Sequence, residues 1–126
     1  LSTVTCWGTG SVYREFMHVD DLADAVIFCI ENWNPNSKNA PKDSSGKPLY
    51  HLNVGTGKDI SIKELALKIA KIINYNGKIL WDHSKPDGTP RKVLNVSKIN
   101  ALGWKAKIDL DYGLKETMEN VDFTKF

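Results

Sequence analysis

The chain has 126 residues, 41% hydrophobic and 25% charged, which is the composition of a folded domain and excludes a disordered one. Its 17 Lys and Arg against 15 Asp and Glu leave a net charge of +2 with no basic stripe, which excludes a dedicated nucleic-acid binder. The longest apolar run, Ala25 to Ile30, is far too short to span a bilayer, and the amino terminus lacks a basic region followed by an apolar core, so the sequence reads as cytoplasmic.

The length suits one domain rather than two. Leu1 to Trp7 predicts a β-strand running into a glycine turn, and the absence of an initiator Met suggests a piece of a longer protein. Val12 to Val19 predicts a second extended segment carrying Arg14 and His18. Asp20 or Asp21 can cap a helix to about Asn32 that is apolar almost all round, and such a helix wants neighbours on more than one side. Asn34 to Pro48 reads as an exposed, mobile loop, and Leu49 to Val54 as a strand. Ser61 and Glu64 form a capping box ahead of Ile62, Leu65, Ala66, Ile69, Ala70 and Ile73 at helical spacing. Asn76-Gly77 predicts a turn and Ile79 to Asp82 a short strand. Ser97 can cap a short helix stopped by Gly103, with Trp104 packing back on it. Asp109 or Asp111 opens a last helix with the stripe Leu114, Met118 and Val121. This mixed order predicts an α/β or α+β arrangement.

The two Gly-Thr-Gly triplets are turns rather than phosphate loops. After Gly55-Thr56-Gly57 a dinucleotide fingerprint needs a third glycine where Ile60 stands, and no Gly-Lys-Ser/Thr follows. No nucleophile elbow or His-Glu-x-x-His zinc motif is present, and no tyrosine is followed four residues later by lysine. Cys6 and Cys29 lie among apolar residues outside any metal-ligand spacing, which predicts buried free thiols. The sequence thus offers neither a complete catalytic set nor a metal site.

The segment Lys85-Pro86-Asp87-Gly88-Thr89-Pro90-Arg91-Lys92 combines two prolines and a turn dipeptide with three cations. Such a loop can be a plain connection or a stiff anion clamp, since Lys and Arg donors suit phosphate oxygens. Trp7 and Arg14 likewise have two readings. Trp7 can present its face to a base or sugar and Arg14 can grip a diphosphate, or they can be a core tryptophan and half of an ion pair with Glu15.

Five stretches of residues carry a family resemblance. Trp7-Gly8-Thr9-Gly10-Ser11 is followed by Arg14-Glu15-Phe16-Met17-His18-Val19-Asp20-Asp21-Leu22-Ala23; then come His51-Leu52-Asn53-Val54-Gly55-Thr56-Gly57, Ser84 to Lys92, and Leu102-Gly103-Trp104. Together they resemble the carboxy-terminal portion of the GDP-L-fucose synthase family, in the extended short-chain dehydrogenase/reductase superfamily. The segment Arg14 to Asp21 resembles many nucleotide-sugar epimerases and dehydratases, whereas Lys-Pro-Asp-Gly-Thr-Pro-Arg-Lys marks the fucose synthase branch. The sequence departs from the family at Val12 and Tyr13 and in the longer Asn34 to Pro48 loop.

The resemblance implies an α+β substrate-binding region over 1–126, lacking most of the Rossmann domain. Segments 18–33 and 49–55 would lie at or within the seam with the missing dinucleotide-binding domain. It implies a NADP-dependent 3,5-epimerase and 4-reductase that converts GDP-4-dehydro-6-deoxy-mannose to GDP-fucose, with NADP held by the missing amino-terminal domain. The family's catalytic residues and cofactor glycines lie upstream of Leu1, leaving none here. Trp7, Arg14, Asp87 and Lys92 match positions that contact the GDP-sugar, with Arg14 and Lys92 on the diphosphate and Asp87 on a ribose hydroxyl. A homodimeric parent is implied, and the piece alone is expected to expose an apolar patch and self-associate. The alternatives are another nucleotide-sugar epimerase or dehydratase, or a non-enzymatic nucleotide-binding module.

Overall fold

The computed structural model describes residues 2–122 and 124. In chain order the elements are β1 (Thr3–Trp7), β2 (Tyr13–Glu15), α1 (Val19–Asn32), β3 (Asp59–Ser61), α2 (Ile62–Ile72), β4 (Lys78–Asp82), β5 (Arg91–Lys92), α3 (Ser97–Leu102) and α4 (Leu110–Asn120). The class is α/β, as the mixed sequence pattern predicts. The elements fall into two compact units: Leu1–Glu15 with Lys58–Val93 and Asp109–Phe126, and Phe16–Gly57 with Leu94–Ile108.

Among the described residues, the first unit holds every strand. β1 and β4 pair in parallel, from Thr3 opposite Lys78 to Trp7 opposite Asp82. β2 is the centre of a second sheet, antiparallel to β3 and parallel to β5. α2 begins where the sequence places it: Ser61 Oγ accepts from Glu64 N at 3.1 Å, and Glu64 Oε2 accepts from Ser61 N at 3.1 Å. These two reciprocal bonds satisfy donors that a helix start otherwise leaves unpaired. The carboxyl of Glu64 is held below its ordinary pKa by the Ser61 hydroxyl and backbone. Asp109 caps α4 through Tyr112 N, and Lys68 ties α2 to Asp111 of α4 at 2.6 Å.

The second unit is organised around Ala25, Ile99 and Trp104, with Met17, Phe28, Leu52 and Val54 against them. Gly103 ends α3 in the left-handed region at φ 112°, which turns Trp104 back into this cluster. Trp104 Nε1 donates to Asp24 Oδ2 at 2.8 Å. Asp21 is buried yet satisfied, since its carboxylate accepts from Lys107 N at 3.0 Å and Ile108 N at 2.9 Å.

Several expectations are corrected. α1 starts at Val19 with His18 as its cap, because Asp21 is drawn inward by the 107–108 backbone instead of serving the helix end. The extended segment expected over 12–19 is a strand only at Tyr13–Glu15. Leu49 to Val54 forms no strand; no ladder partner stands beside it among the described residues, Leu49 N bonds Pro41 O, and Leu52 and Val54 serve the core. Val96, not Ser97, stands at the N-cap position of α3 and makes no side-chain cap bond, and Ser97 N is held by Asn95 Oδ1 at 3.0 Å. Cys6 and Cys29 are free but only half-buried, and burial pushes the Cys29 thiol upward. The exposed loop after α1 has order of its own: Asp43 Oδ1 accepts from Ser45 N, Ser45 Oγ and Lys47 N, and Lys42 bridges Pro48.

The outer surface of α1 is strongly apolar. Val19 and Ile30 are 69% and 79% exposed, with Leu22, Val26 and Ile27 also open. An apolar groove of about 310 Å³ runs along the helix between Val26, Cys29, Ile30, Leu52 and Val54.

Candidate functional site

The parallel β1–β4 pair ends at Trp7 and Asp82, and two loops leave from that end: the Gly8-Thr9-Gly10 turn and the segment that leads to β5. Asp82 O accepts from both Gly8 N at 3.0 Å and Lys85 N at 3.1 Å, so one carbonyl anchors both departures. Asp82 Oδ1 also accepts from Ser84 N at 3.0 Å and Ser84 Oγ at 2.6 Å, bonds that favour the carboxylate and lower its pKa. This anchoring places Lys85 Nζ 5.5 Å from the centre of the Trp7 ring, a cation–π arrangement. Trp7 is 73% exposed, so it is a surface platform rather than a core tryptophan.

Asp87 closes the loop onto the turn. Its Oδ1 accepts from Thr9 N and its Oδ2 from Thr9 Oγ1, both at 2.7 Å, and these bonds hold the carboxyl below the ordinary aspartate range. Gly8 permits the approach: it lies at φ 77°, and a Cβ there would collide with Asp87 Oδ1. The sequence reading gave Asp87 only a ligand hydroxyl as partner, whereas the structure gives it a protein partner first. A carboxylate has about four acceptor sites, and the two Thr9 donors with the Gly10 backbone N–H take three, so capacity for one ligand hydroxyl is left.

Arg14 and Lys92 meet through strand pairing. In the parallel β2–β5 pair Arg14 stands opposite Lys92, and Tyr13 opposite Arg91. Successive strand residues alternate faces, so Arg14 and Lys92 share one face and Arg91 takes the other. There Arg91 is committed to Asp59, with Nε to Oδ2 at 2.5 Å and Nη2 to Oδ1 at 3.2 Å. This fork lowers the Asp59 pKa and raises that of Arg91. Arg14 makes no ion pair among the described residues; its Nη1 donates to Tyr13 O at 2.6 Å. Its Nη2 lies 3.7 Å from the position a Cβ on Gly88 would take, which sets the guanidinium against the 85–92 loop.

Fold and pairing therefore bring all four expected residues into the first unit, and they sort the loop's cations. Lys92 joins Arg14, Lys85 joins Trp7, and Arg91 is spent on structure. Sequence reasoning missed Thr9, Lys85 and Asp59 as partners. The alternation of Arg91 and Lys92 was a usable signal, but only the pairing with β2 shows which face each takes. Like charges directly opposite on paired strands repel. An anion between Arg14 and Lys92 would relieve that repulsion, and a diphosphate offers the charge and the oxygens to do so.

No dinucleotide cradle forms from these residues. Gly55-Thr56-Gly57 leads into β3 rather than opening a helix, and a Cβ on Gly57 would meet the Val96 side chain at 2.9 Å, so this turn packs on its own chain. Among the described residues no three of His, Cys, Asp and Glu are grouped as metal ligands.

The NAD dependent epimerase/dehydratase family matches residues 2–47. The chain is 50% identical over 122 residues to a probable GDP-L-fucose synthase 1 of Oryza sativa subsp. japonica, covering 94% of this chain and 33% of that protein. It is 45% identical over 127 residues to the GDP-L-fucose synthase of Escherichia coli (strain K12), covering 94% of this chain and 37% of the relative. Among solved structures it is similar to a GDP-6-OMe-4-keto-L-xylo-heptose reductase from C. jejuni, with TM-score 0.83 and 44% identity over 94% of this chain and 33% of that one. The chain spans about a third of the length of the curated relatives it matches. Over nearly all of its own length it corresponds to a portion of the GDP-L-fucose synthases, enzymes of the epimerase/reductase group.

Proposed function

We propose that this chain is the substrate-binding region of a NADP-dependent GDP-L-fucose synthase, which converts GDP-4-dehydro-6-deoxy-D-mannose to GDP-L-fucose. One observation carries the reading: Arg14 and Lys92 stand opposite each other on paired strands, beside a loop that also presents Asp87 and, next to Trp7, Lys85. Two cations take the diphosphate, the exposed Trp7 ring takes a base or sugar face, and Asp87 takes a ribose hydroxyl. A grip of this kind uses binding energy far from the reacting carbons to hold the sugar for proton and hydride transfer.

The reacting groups and the NADP site belong, in this reading, to a dinucleotide-binding domain outside the 126 residues. Segments 18–33 and 49–55 lie at or within the seam with it, and the exposed apolar surface of α1 supports that placement. NADP supplies the hydride when bound there. The reading carries with it a cytoplasmic location and a homodimeric enzyme.

A second reading keeps the GDP grip and changes the sugar, making the enzyme a reductase of another GDP-4-keto sugar. The 44% identity to a heptose reductase favours it. Calorimetric titration of the full-length polypeptide with GDP-sugars tests the grip, and Arg14→Ala and Lys92→Ala should each weaken binding about tenfold or more, the effect of losing a charge-assisted contact. Unchanged affinity in both variants would overturn the proposal. Comparison of GDP-, UDP- and dTDP-sugars checks the base, and turnover of hexose against heptose substrates separates the two readings.

A further inference from the structure

The Thr9 hydroxyl takes part in three hydrogen bonds on this surface. It donates to Asp87 Oδ2 at 2.7 Å. The same oxygen lies 2.7 Å from Ser11 Oγ and accepts from Ser11 N at 3.2 Å. An ionised Asp87 only accepts, so the single Thr9 proton is committed to it, and Ser11 Oγ must be the donor in the remaining contact. A threonine hydroxyl has one donor and two acceptor sites, and all three are filled. Thr9 therefore has nothing left to offer a ligand. Its backbone N–H takes the other oxygen of Asp87 at 2.7 Å, so one residue engages both carboxylate oxygens.

We propose that Thr9 is the positioning residue of the nucleotide grip: it orients Asp87 so that the acceptor site left over by the Thr9 and Gly10 donors faces a ribose hydroxyl. The inference rests on the reading of this surface as a nucleoside-diphosphate site. Three local features serve the arrangement. Gly8 at φ 77° lets the carboxylate approach the turn, Ser11 holds the Thr9 hydroxyl from behind, and Pro86 and Gly88 flank Asp87 in a stiff loop. The Thr9 and Gly10 bonds also keep Asp87 ionised at lower pH than an ordinary aspartate. A carboxylate that must accept from Thr9, from Gly10 and from a ligand hydroxyl as well needs that ionised state.

The test compares GDP with 2′,3′-dideoxy-GDP by calorimetry on the full-length polypeptide, wild type against Thr9→Val, Thr9→Ser and Asp87→Asn. Thr9→Val keeps the side-chain shape and removes only the hydroxyl. It should lower GDP affinity about tenfold, the scale of one hydrogen bond to a charged group, and leave the dideoxy analogue nearly unchanged. Thr9→Ser should restore the preference for GDP, and Asp87→Asn should abolish it. The acid limit of GDP binding should also move to higher pH in Thr9→Val, because a donor that favours the ionised carboxylate is gone.

Equal loss for both nucleotides in Thr9→Val would make Thr9 merely structural, and no loss for either would remove it from the grip; each result overturns the inference. If Arg14→Ala binds GDP as wild type does, the nucleotide-site reading itself fails and the inference falls with it. Weakened binding in Arg14→Ala beside an unaffected Thr9→Val overturns the role of Thr9 alone.

Discussion

Replacing Lys92 by Met should stabilise the free protein and weaken its hold on GDP at the same time. Arg14 and Lys92 are direct partners in the β2–β5 ladder, and Met keeps an unbranched stem while removing the charge. Relief of a cross-strand repulsion is worth roughly 0.2–1 kcal/mol. At about 2–4 °C per kcal/mol for a domain of ordinary size, the unliganded Tm should rise by roughly 0.5–4 °C. The opposite holds with ligand present. A tenfold weaker Kd removes about 1.4 kcal/mol of ligand-induced stabilisation when GDP is in large excess, or roughly 3–6 °C. Thermal melts with and without saturating GDP should therefore show the two proteins changing order. Raising the salt should shrink the unliganded gain, since exposed charges are screened. A lower Tm without ligand, or an undiminished shift with GDP, would refute the idea that these cations are held together for an anion.

Two further predictions concern the frame of the site. Gly10→Ala should destabilise the protein by about 2–5 kcal/mol in urea unfolding, from roughly 1–2 kcal/mol for a left-handed alanine plus 1–3 kcal/mol for overpacking. The residue lies at φ 73°, and its new Cβ would stand 2.5–2.9 Å from the Trp81 ring atoms; a loss below about 1 kcal/mol would contradict this packing. In acid, the depressed Asp59 carboxyl contributes stability that is complete above the unfolded pKa of about 4 and is lost as the pH falls through the lower folded value. Stability measured from pH 6 to pH 2 should fall less steeply in Asp59→Asn than in wild type, and parallel curves would show that the Arg91 fork adds no such dependence.

The sequence was readable where the signal is local. The Ser61–Glu64 box, the Gly103 stop with Trp104 folded back, and the Asp109 cap each depend on residues a few positions apart, and each appears in the structure. Pairing across long separations was not readable. β3 and β5 are three and two residues long, too short to be recognised as strands from the sequence, yet their pairing decides the faces of Arg14, Arg91 and Lys92. Leu49 to Val54 has strand composition but no neighbour to pair with among the described residues, so its apolar side chains serve the core instead. Asp21 looked like a helix cap because its true partners, the Lys107 and Ile108 amides, lie 86 and 87 residues away. The candidate site followed the same division: Trp7, Arg14, Asp87 and Lys92 are proposed from motif, while the Thr9 clasp and the Asp59–Arg91 fork required the folded chain.

The central claim is that Arg14 and Lys92 grip a diphosphate, and its most direct test is calorimetric titration of wild type and Arg14→Ala with GDP and with guanosine. The account predicts that Arg14→Ala loses about tenfold or more in affinity for GDP and almost nothing for guanosine, which carries the base and ribose without the charge. Equal affinity of both proteins for GDP, or an equal loss for both ligands, would contradict it.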